Sequence, residues 1–331
     1  MNKIVVTGGA GMIGSNLVKR LINDGNEVLV VDNLWRGKLS YLNDETNQPV
    51  INLKNNFYNR DLSVPGQLDD ILDNVDYIIH LADVVAGIDY VFNNQGSIFR
   101  QNLLINSNVI TSVRQIAKNL KGFIYAGTAC SFPLTRQSSL DVIPLREDEL
   151  YPAMPESAYG WSKLMGQYET ELFEKETRIP SLSLMFHNVY GTPCDFGERS
   201  QVIPALIRKA INYPKEDFIV WGSGEQGRAF LHVDDVVNGI VSSMETGLGQ
   251  GHIQLGPSAC TSIKEIAETV VKISGKNIQI KYDVTKPEGD KARRADYSKA
   301  NDIMGWEPKV TLEQGLTQQF QWIKKQLENG H

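Results

Sequence analysis

The chain has 331 residues, with 33 Lys and Arg against 39 Asp and Glu, a formal net charge of -6 and 41% hydrophobic residues. That length exceeds the usual size of one hydrophobic core and predicts two lobes or one large α/β unit. The acidic balance argues against nucleic acid as the main partner, because proteins that bind it are generally basic. Three widely spaced cysteines, Cys130, Cys194 and Cys260, form no Cys-x-x-Cys pair. They suit a reducing compartment, the cytoplasm, better than a disulfide framework. The start at Met1 leads straight into an apolar run and no long uninterrupted apolar segment follows, so neither a signal peptide nor a membrane span is expected.

In chain order, Lys3-Ile4-Val5-Val6 reads as a buried parallel strand, and Leu17, Val18, Leu21 and Ile22 recur at helical spacing. Between them lies Thr7-Gly8-Gly9-Ala10-Gly11-Met12-Ile13-Gly14. Glycines in such a turn permit positive φ and leave no Cβ in the way, so the N–H groups and positive end of the following helix can face phosphate oxygens. A second strand pattern, Glu27-Val28-Leu29-Val30-Val31, runs into Asp32, at the offset of about twenty residues where an acid bonds the adenosine ribose hydroxyls. A carboxylate there repels a 2′-phosphate and favours NAD over NADP, with Arg36 nearby as the opposing sign. Gly8, Gly11, Met12, Ile13, Gly14, Asp32 and its neighbour Asn33 are the expected dinucleotide contacts of this segment.

Further apolar runs, Val75-Asp76-Tyr77-Ile78-Ile79, Gly122-Phe123-Ile124-Tyr125-Ala126 and Ser181-Leu182-Ser183-Leu184-Met185-Phe186, are each expected to follow a helix-like segment. This alternation predicts an α/β, doubly wound parallel sheet of the Rossmann type. Right-handed crossovers would bring the carboxyl ends of its strands to one crevice. Helix patterns over residues 99–119 and 157–175 either cover the sheet or pair with a second subunit in a four-helix bundle, giving a homodimer. Beyond Tyr190 the pattern loosens into Gly191-Thr192-Pro193, Gly197-Glu198-Arg199 and Trp221-Gly222-Ser223-Gly224. The expected division is a dinucleotide-binding domain at 1–189 with a returning segment near 230–255, and a smaller C-terminal substrate lobe from 190–229 and 256–331. Asp234-Asp235 opens an apolar helical stretch and is expected to cap it, and residues 312–327 read as a closing helix against the lobe. His80, His187, His232 and His252 lack metal-ligand spacing and are expected as polar core groups. No metal site is expected.

Tyr159 and Lys163 stand four apart, hence on one helix face. A phenol of pKa about 10 is a poor base at neutral pH, but a neighbouring ammonium and a cationic nicotinamide ring both favour the phenolate. Tyr159 would then take a proton from a sugar hydroxyl while hydride leaves the same carbon.

With these motifs in place, the chain resembles the extended short-chain dehydrogenase/reductases, in the branch that modifies nucleotide-activated sugars. The resemblance runs nearly end to end. It includes Asp61-Leu62, His80-Leu81-Ala82, Asn102, Thr128, Asn188-Val189-Tyr190-Gly191, the segment from Trp221 through Arg228 to Phe230, and Gly305-Trp306-Glu307-Pro308. It implies bound NAD, with Asp61, Leu62, Leu81, Ala82, Asn102, Tyr159 and Lys163 among its contacts, and a nucleotide-diphosphate sugar as substrate. It also implies that Thr128 bonds the reacting oxygen, and that Asn188 and Arg228, helped by Arg293 or Arg294, hold the diphosphate. The planar fork of Arg can grip phosphate oxygens in two places. Gln201 and Val202 would lie on the substrate side.

Cys130, in Gly127-Thr128-Ala129-Cys130-Ser131-Phe132-Pro133, is similar in place to the cysteine of GDP-mannose 3,5-epimerases and GDP-fucose synthases, where a thiolate removes a proton beside a C4 ketone. The implied activity is epimerisation of a nucleotide sugar through transient oxidation at C4, after which the ketone either turns over and takes hydride back on its other face, giving the C4 epimer, or loses a C3 or C5 proton to Cys130. A 4-dehydrogenase, a dehydratase and a non-catalytic NAD-binding sensor are the alternatives. Three positions depart from the pattern. Gln201 stands where those relatives carry a Lys or His acid, and an amide delivers no proton usefully. Met185 stands where many carry Arg, and Ala129-Cys130 replaces the Asp-Glu pair of the 4,6-dehydratases.

Overall fold

The computed structural model describes residues 1–85, 87–197, 200–286, 289 and 291–330. Glu198 and Arg199 of the loosened stretch lie outside the described residues. The chain begins with β1 (Lys3–Thr7), α1 (Met12–Asn23), β2 (Glu27–Asp32), β3 (Phe57–Asn59), β4 (Tyr77–His80), α2 (Ile88–Asn93), α3 (Gln95–Ile116) and β5 (Gly122–Thr128). It continues through α4 (Ala158–Thr177), β6 (Ser181–Phe186), β7 (Asn188–Tyr190), α5 (Val202–Asn212), β8 (Ile219–Trp221), β9 (Gly227–Arg228), β10 (Phe230–His232) and α6 (Val233–Thr246). The last elements are β11 (Gly251–Leu255), β12 (Thr261–Ser262), α7 (Ile263–Ser274), β13 (Lys281–Asp283), α8 (Ser298–Met304) and α9 (Leu312–Glu328).

Seven strands form one sheet in the order β11-β6-β5-β4-β1-β2-β3, every pairing parallel. Successive side chains of a strand face opposite ways, and the two faces bury different partners. Ile4 and Val6 of β1 pack with Leu17, Val18 and Leu21 of α1 and Val236 and Ile240 of α6. Val5 instead joins Val109 and Val113 of α3 and Phe173 of α4. A third cluster, away from the sheet, gathers Ile203, Leu206 and Ile207 of α5, Ile266 and Val270 of α7, and Leu316, Phe320 and Ile323 of α9. The last helix closes against this cluster as the sequence predicts.

The structure corrects several sequence-based boundaries. No helix precedes β4, since residues 60–76 run as turns. Both sheet edges, β3 and β11, escape the pattern: β3 has three residues, and β11 alternates apolar with His252 and Gln254, whose side chains bond the Glu147 and Leu145 carbonyls. The helix expected over 99–119 starts at Gln95 and ends at Ile116. The cap of α6 is His232, whose ring accepts the Asp234 N–H, so the Asp pair sits in the first turn instead. Asp235 is buried there and accepts the Val310 N–H at 3.0 Å, while its carbonyl takes the Trp306 indole N–H at 2.8 Å, tying the tail to α6. Cys130, Cys194 and Cys260 are free thiols. Among the described residues no helix is long and apolar enough to cross a membrane.

Helix α4 lies against α3 and β5 at unusually short range. A Cβ on Gly166 would collide with the Tyr125 hydroxyl and stand 2.6 Å from the Asn106 amide nitrogen. Gly166→Ala is therefore expected to destabilise the fold by about 1–3 kcal/mol through overpacking. Urea unfolding monitored by circular dichroism checks this, and Gly96→Ala on the exposed first turn of α3, where a Cβ meets nothing, serves as the comparison.

Candidate active site

A cleft of about 850 Å³ opens over the carboxyl ends of the parallel strands, where open α/β sheets collect their ligands. Gly8 follows β1, Asp32 ends β2, Leu81 follows β4, Thr128 ends β5 and Phe186 ends β6, and all of them line it. Gln201, Val202, Arg228 and Arg293 line its other side.

The turn at its floor is shaped for close approach. Gly8 has φ +68°, and a Cβ on it would stand 2.8 Å from the Ala82 nitrogen. A Cβ on Gly14 would collide with the Gly8 carbonyl oxygen. Helix α1 has Gly11 as its N-cap, with no side-chain cap and no acid in the first turn, so its N–H groups and positive dipole end remain for an anion. Asp32 is buried and accepts the Ala10 N–H at 3.0 Å and the Leu34 N–H at 2.8 Å. Burial pushes its carboxyl up, and those two bonds oppose the rise. Arg36 donates to the Val85 carbonyl at 2.9 Å, which joins the loop after β2 to the loop after β4. Asn33, Asp61, Leu62, Leu81 and Ala82 complete this half of the cleft, together with Gly11, Met12, Ile13 and Gly14. The residues present fit a dinucleotide: a side-chain-free floor for a pyrophosphate, a buried acid for ribose hydroxyls and apolar walls.

Asn102, expected as a cofactor contact, does not line the cleft. It is buried, accepts the Val84 N–H at 2.8 Å, and donates to the Val84 carbonyl at 3.4 Å and the Ser162 hydroxyl at 3.3 Å. Its work is to fasten the loop after β4 to α4. Thr7 does the same from β1, its hydroxyl accepting the Leu81 and Ala82 N–H groups at 3.1 and 3.2 Å and meeting His80 Nδ1 at 2.7 Å. Burial brings His80 down to about 3, so it is a neutral partner to Thr7 and Asn106. His187 is likewise neutral, brought to about 4 by burial and bonded to Gln254 at 3.0 Å. Among the described residues no group of His, Cys, Asp and Glu is arranged to hold a metal ion.

The chemistry-bearing side chains converge where α4 meets the turn after β5. Ser157 caps α4 through the Gly160 N–H. A Cβ on Gly160 would collide with the Cys130 carbonyl oxygen, so the first turn of α4 touches the turn that carries Thr128 and Cys130. Thr128 accepts the Cys130 N–H at 3.2 Å and lines the cleft together with Tyr159. Arg293 donates to the Cys130 sulfur at 3.1 Å. Burial would push the Cys130 thiol up, but the charge and hydrogen bond of Arg293, with Thr128 and Arg228, bring it below the ordinary thiol range. Arg228 lies close enough to Arg293 that burial and mutual repulsion lower it to about 10. An anion between the two guanidinium groups relieves that repulsion. Asn188 Oδ1 is buried without a hydrogen-bond partner on the wall of the same cleft, an acceptor for a donor on the ligand.

Lys163 behaves differently from the sequence-based expectation. Its ammonium forms a buried ion pair with Asp83, donates to the Ala126 carbonyl at 2.5 Å and lies 4.8 Å from the centre of the Tyr125 ring. Tyr159 is pushed well above the usual phenol value, chiefly by burial, then by the charges of Asp83 and Cys130; Thr128 and Arg293 act the other way. Asp83 falls outside the sequence-based expectations, although an acid three residues past a buried strand, beyond its carboxyl end, is the signal that marks it. Of the two candidate arginines the structure places Arg293 on the cleft and leaves Arg294 off it. Met185, noted as a departure, is wholly buried beneath Gly127 and does not reach the cleft. Gln201 is the N-cap residue of α5, without a side-chain cap bond, and Val202 begins that helix.

The chain is 29% identical over 327 residues to GDP-mannose 3,5-epimerase of Arabidopsis thaliana, covering 98% of this chain and 83% of that protein. It is 30% identical over 334 residues to GDP-L-fucose synthase 1 of the same plant, covering 99% and 94%. The crystal structure of UDP-glucose 4-epimerase from Thermotoga maritima with UDP-glucose superposes with a TM-score of 0.86 at 29% identity, covering 98% of this chain and 99% of that one. The model of the NAD-dependent epimerase/dehydratase family matches residues 4–256. A glycine cradle for NAD, the Tyr159/Lys163 helix beside it and this match agree, and the chain belongs to the NAD-dependent epimerase/dehydratase family.

Proposed function

We propose that the protein epimerises a nucleotide-diphosphate sugar through transient oxidation at C4 of the sugar, with Cys130 as the base that removes a proton from C3 or C5. The observation that carries this reading is the Arg293 to Cys130 hydrogen bond of 3.1 Å, set in one cleft with Thr128 and Tyr159. NAD, when bound, supplies the acceptor and donor of hydride at the sugar carbon. Tyr159 takes the proton of the C4 hydroxyl, and Thr128 holds the same oxygen. The resulting ketone acidifies the neighbouring C–H bonds, a thiolate beside them is a competent base at neutral pH, and the enolate left by proton loss is reprotonated on its opposite face by solvent water, since Gln201 has no proton to give. Arg228 and Arg293 meet the diphosphate, and Asn188 meets a donor on the substrate. Residues 190–229 and 256–331 act as the substrate lobe, residues 1–189 with 230–255 as the NAD-binding domain. A reducing compartment, the cytoplasm, keeps the Cys130 thiol available.

The apolar stripe on α4 supports a homodimer through a four-helix bundle of α3 and α4. Trp161, Tyr168 and Leu172 are exposed and Met165 is half-buried, at spacings of four, three and four along the helix, and Leu104 is exposed on α3. Such a stripe faces a partner helix.

Incubation with UDP-, GDP- and dTDP-sugars in heavy water tests the reaction. The expected result is deuterium at C3 or C5, with the exchange rate reduced at least about a hundredfold in Cys130→Ala and all turnover lost in Tyr159→Phe. C4 inversion without deuterium makes it a simple 4-epimerase. Loss of water, or reduced cofactor accumulating with keto sugar, makes it a dehydratase or a 4-dehydrogenase. Alkylation of Cys130 by iodoacetamide is expected to titrate below an ordinary thiol, because the thiolate forms at lower pH beside Arg293. Arg293→Met is expected to move that midpoint upward by about one pH unit or more. Tyr168→Glu with Leu172→Glu is expected to convert the dimer to monomer in sedimentation velocity; an unchanged sedimentation coefficient overturns this interface.

A further inference from the structure

Between β6 and β7 the chain passes the reacting end of the cleft. Phe186 pairs with Thr128 in the register of β5 and β6, so His187 stands one residue beyond that pair, next to the turn that carries Cys130. His187 lines the cleft and is only 6% exposed. Its two ring nitrogens keep different company: Nε2 lies 3.0 Å from Gln254 Oε1, and Nδ1 is buried without a hydrogen-bond partner. Gln254 settles which nitrogen carries the hydrogen. Its own Nε2 donates to the Leu145 carbonyl at 2.8 Å, and a carbonyl only accepts, so the oxygen of that amide is the atom turned to the imidazole. His187 Nε2 is then the donor, and Nδ1 of the neutral ring is a bare acceptor. Burial, which brings the ring to about 4, keeps it neutral at physiological pH. A Cβ on Gly256 would collide with Cδ2 of the ring, so the backbone there closes that edge and leaves the opposite edge, with Nδ1, for the cleft.

We propose that His187 is a specificity-determining residue of this site, whose bare Nδ1 accepts a hydrogen bond from a hydroxyl of the sugar held beside Thr128 and Cys130. The inference rests on the reading of the cleft as a nucleotide-sugar site and deepens it by giving the sugar end an acceptor of its own. Its physical basis is the cost of a buried polar atom left alone. An acceptor shut away from water and from every protein donor is unfavourable, and in a cleft wall the missing donor is one a ligand can bring.

The rest of the wall decides what that donor is. Asn188 Oδ1 and Gln226 Oε1 are likewise buried without partners and belong to residues lining the same cleft, and the Gln226 amide nitrogen is already given to the Trp221 carbonyl at 3.2 Å. An ionised diphosphate has acceptor oxygens only, so it suits Arg228 and Arg293 and cannot serve any of these three atoms. Donors must come from another part of the ligand, and a sugar supplies them as hydroxyl groups. His187 is the one of the three that adjoins Phe186, the register partner of Thr128. Because its one N–H is spent on Gln254, the ring offers no proton to the cleft, and its part is recognition. A sugar in which the matching hydroxyl is replaced by hydrogen or fluorine leaves Nδ1 alone again, and a site built to bond a hydroxyl discriminates against such a ligand.

The test is heteronuclear NMR of the histidine ring nitrogens in the full-length, NAD-loaded protein, with the His187 ring assigned through bonds from its own backbone and Tyr159→Phe as the background so that the sugar stays unreacted. UDP-, GDP- and dTDP-sugars are added in turn, each against its nucleoside diphosphate alone. Before addition, Nε2 is expected to carry the hydrogen and Nδ1 to be bare. A bound nucleotide sugar is expected to move the Nδ1 resonance toward that of a hydrogen-bonded nitrogen, whereas UDP, GDP or dTDP alone leaves it in place. In calorimetry, His187→Leu is expected to lose about three- to tenfold in affinity for the nucleotide sugar and nothing for the nucleoside diphosphate. His187→Asn, whose short amide reaches the place of Nδ1 but not that of Nε2, is expected to stay close to the parent. An Nδ1 resonance that does not move when a nucleotide sugar is bound overturns the proposal, and so does an equal loss of both affinities in His187→Leu, which marks a packing role. Where His187→Leu fails to fold, the spectrum of the unsubstituted ring decides. A moved Nδ1 resonance without deuterium at C3 or C5 in heavy water leaves His187 in this role and refutes the proposed use of Cys130, while failure of every sugar of the panel to bind overturns the nucleotide-sugar reading and this inference with it.

Discussion

A helix can come within touching distance of a strand and the turn after it only where side chains are missing at the crossing, and α4 meets that condition twice. Gly166 lies against the Tyr125 hydroxyl and Gly160 against the Cys130 carbonyl. The second contact is the one on which the site depends. It sets the Tyr159 ring on the same side as Thr128 and Cys130, and it brings Lys163, one turn further along, over the Ala126 carbonyl. A larger residue at either position pushes α4 from the sheet and moves Tyr159 and Lys163 away from Thr128 and Cys130.

The same economy appears at the strand ends. Parallel strands leave their last carbonyls and N–H groups without ladder partners at the carboxyl edge, so side chains must satisfy them. Thr7 does so for Ala82 and Asn102 for Val84, and Gln254 likewise holds the Leu145 carbonyl of the loop before α4. Each of these bonds is buried or half-buried, where a lost partner leaves a polar group unsatisfied at a cost of about 1–3 kcal/mol. Loops that would otherwise be mobile are thereby held as walls of the cleft. Asn102 belongs to this class through its bonds to Val84.

The sequence makes the parts with a strong period or a steric signature readable. Residues 3–6 alternate between two buried faces, Gly8 and Gly14 occupy places where a Cβ cannot stand, and the strand at Ser181–Phe186 is bounded as expected. What escapes has no such signature. The edge strand Phe57–Asn59 is too short to show a period, and Gly251–Leu255 carries polar residues because its side chains hold a loop. The choice between Arg293 and Arg294 depends on which way one short segment turns, and adjacent identical residues cannot reveal it. Asp83 is hidden for another reason: an acid is ordinarily a surface residue, and its burial beside Lys163 follows from contacts between segments eighty residues apart.

Charge, finally, explains why burial alone does not decide the reactivity of this cleft. Lys163 is paired with Asp83, and Arg228 and Arg293 stand close to each other on the cleft. Both guanidinium charges bring the Cys130 thiol down. A thiol in an apolar pocket is pushed up and seldom ionises at neutral pH, and Cys194, buried and pushed up to about 12, shows that outcome within the same chain. Cys130 differs by its company, Arg293 at 3.1 Å first, then Thr128 and Arg228. A base works best when its pKa lies near the working pH, ionised often enough to act and basic enough to hold the proton it takes. Cys130, half-buried beside Arg293, and Cys194, buried and pushed up, thus differ in electrostatic company, and the position of Arg293 is the physical ground on which proton transfer is proposed for the first of them.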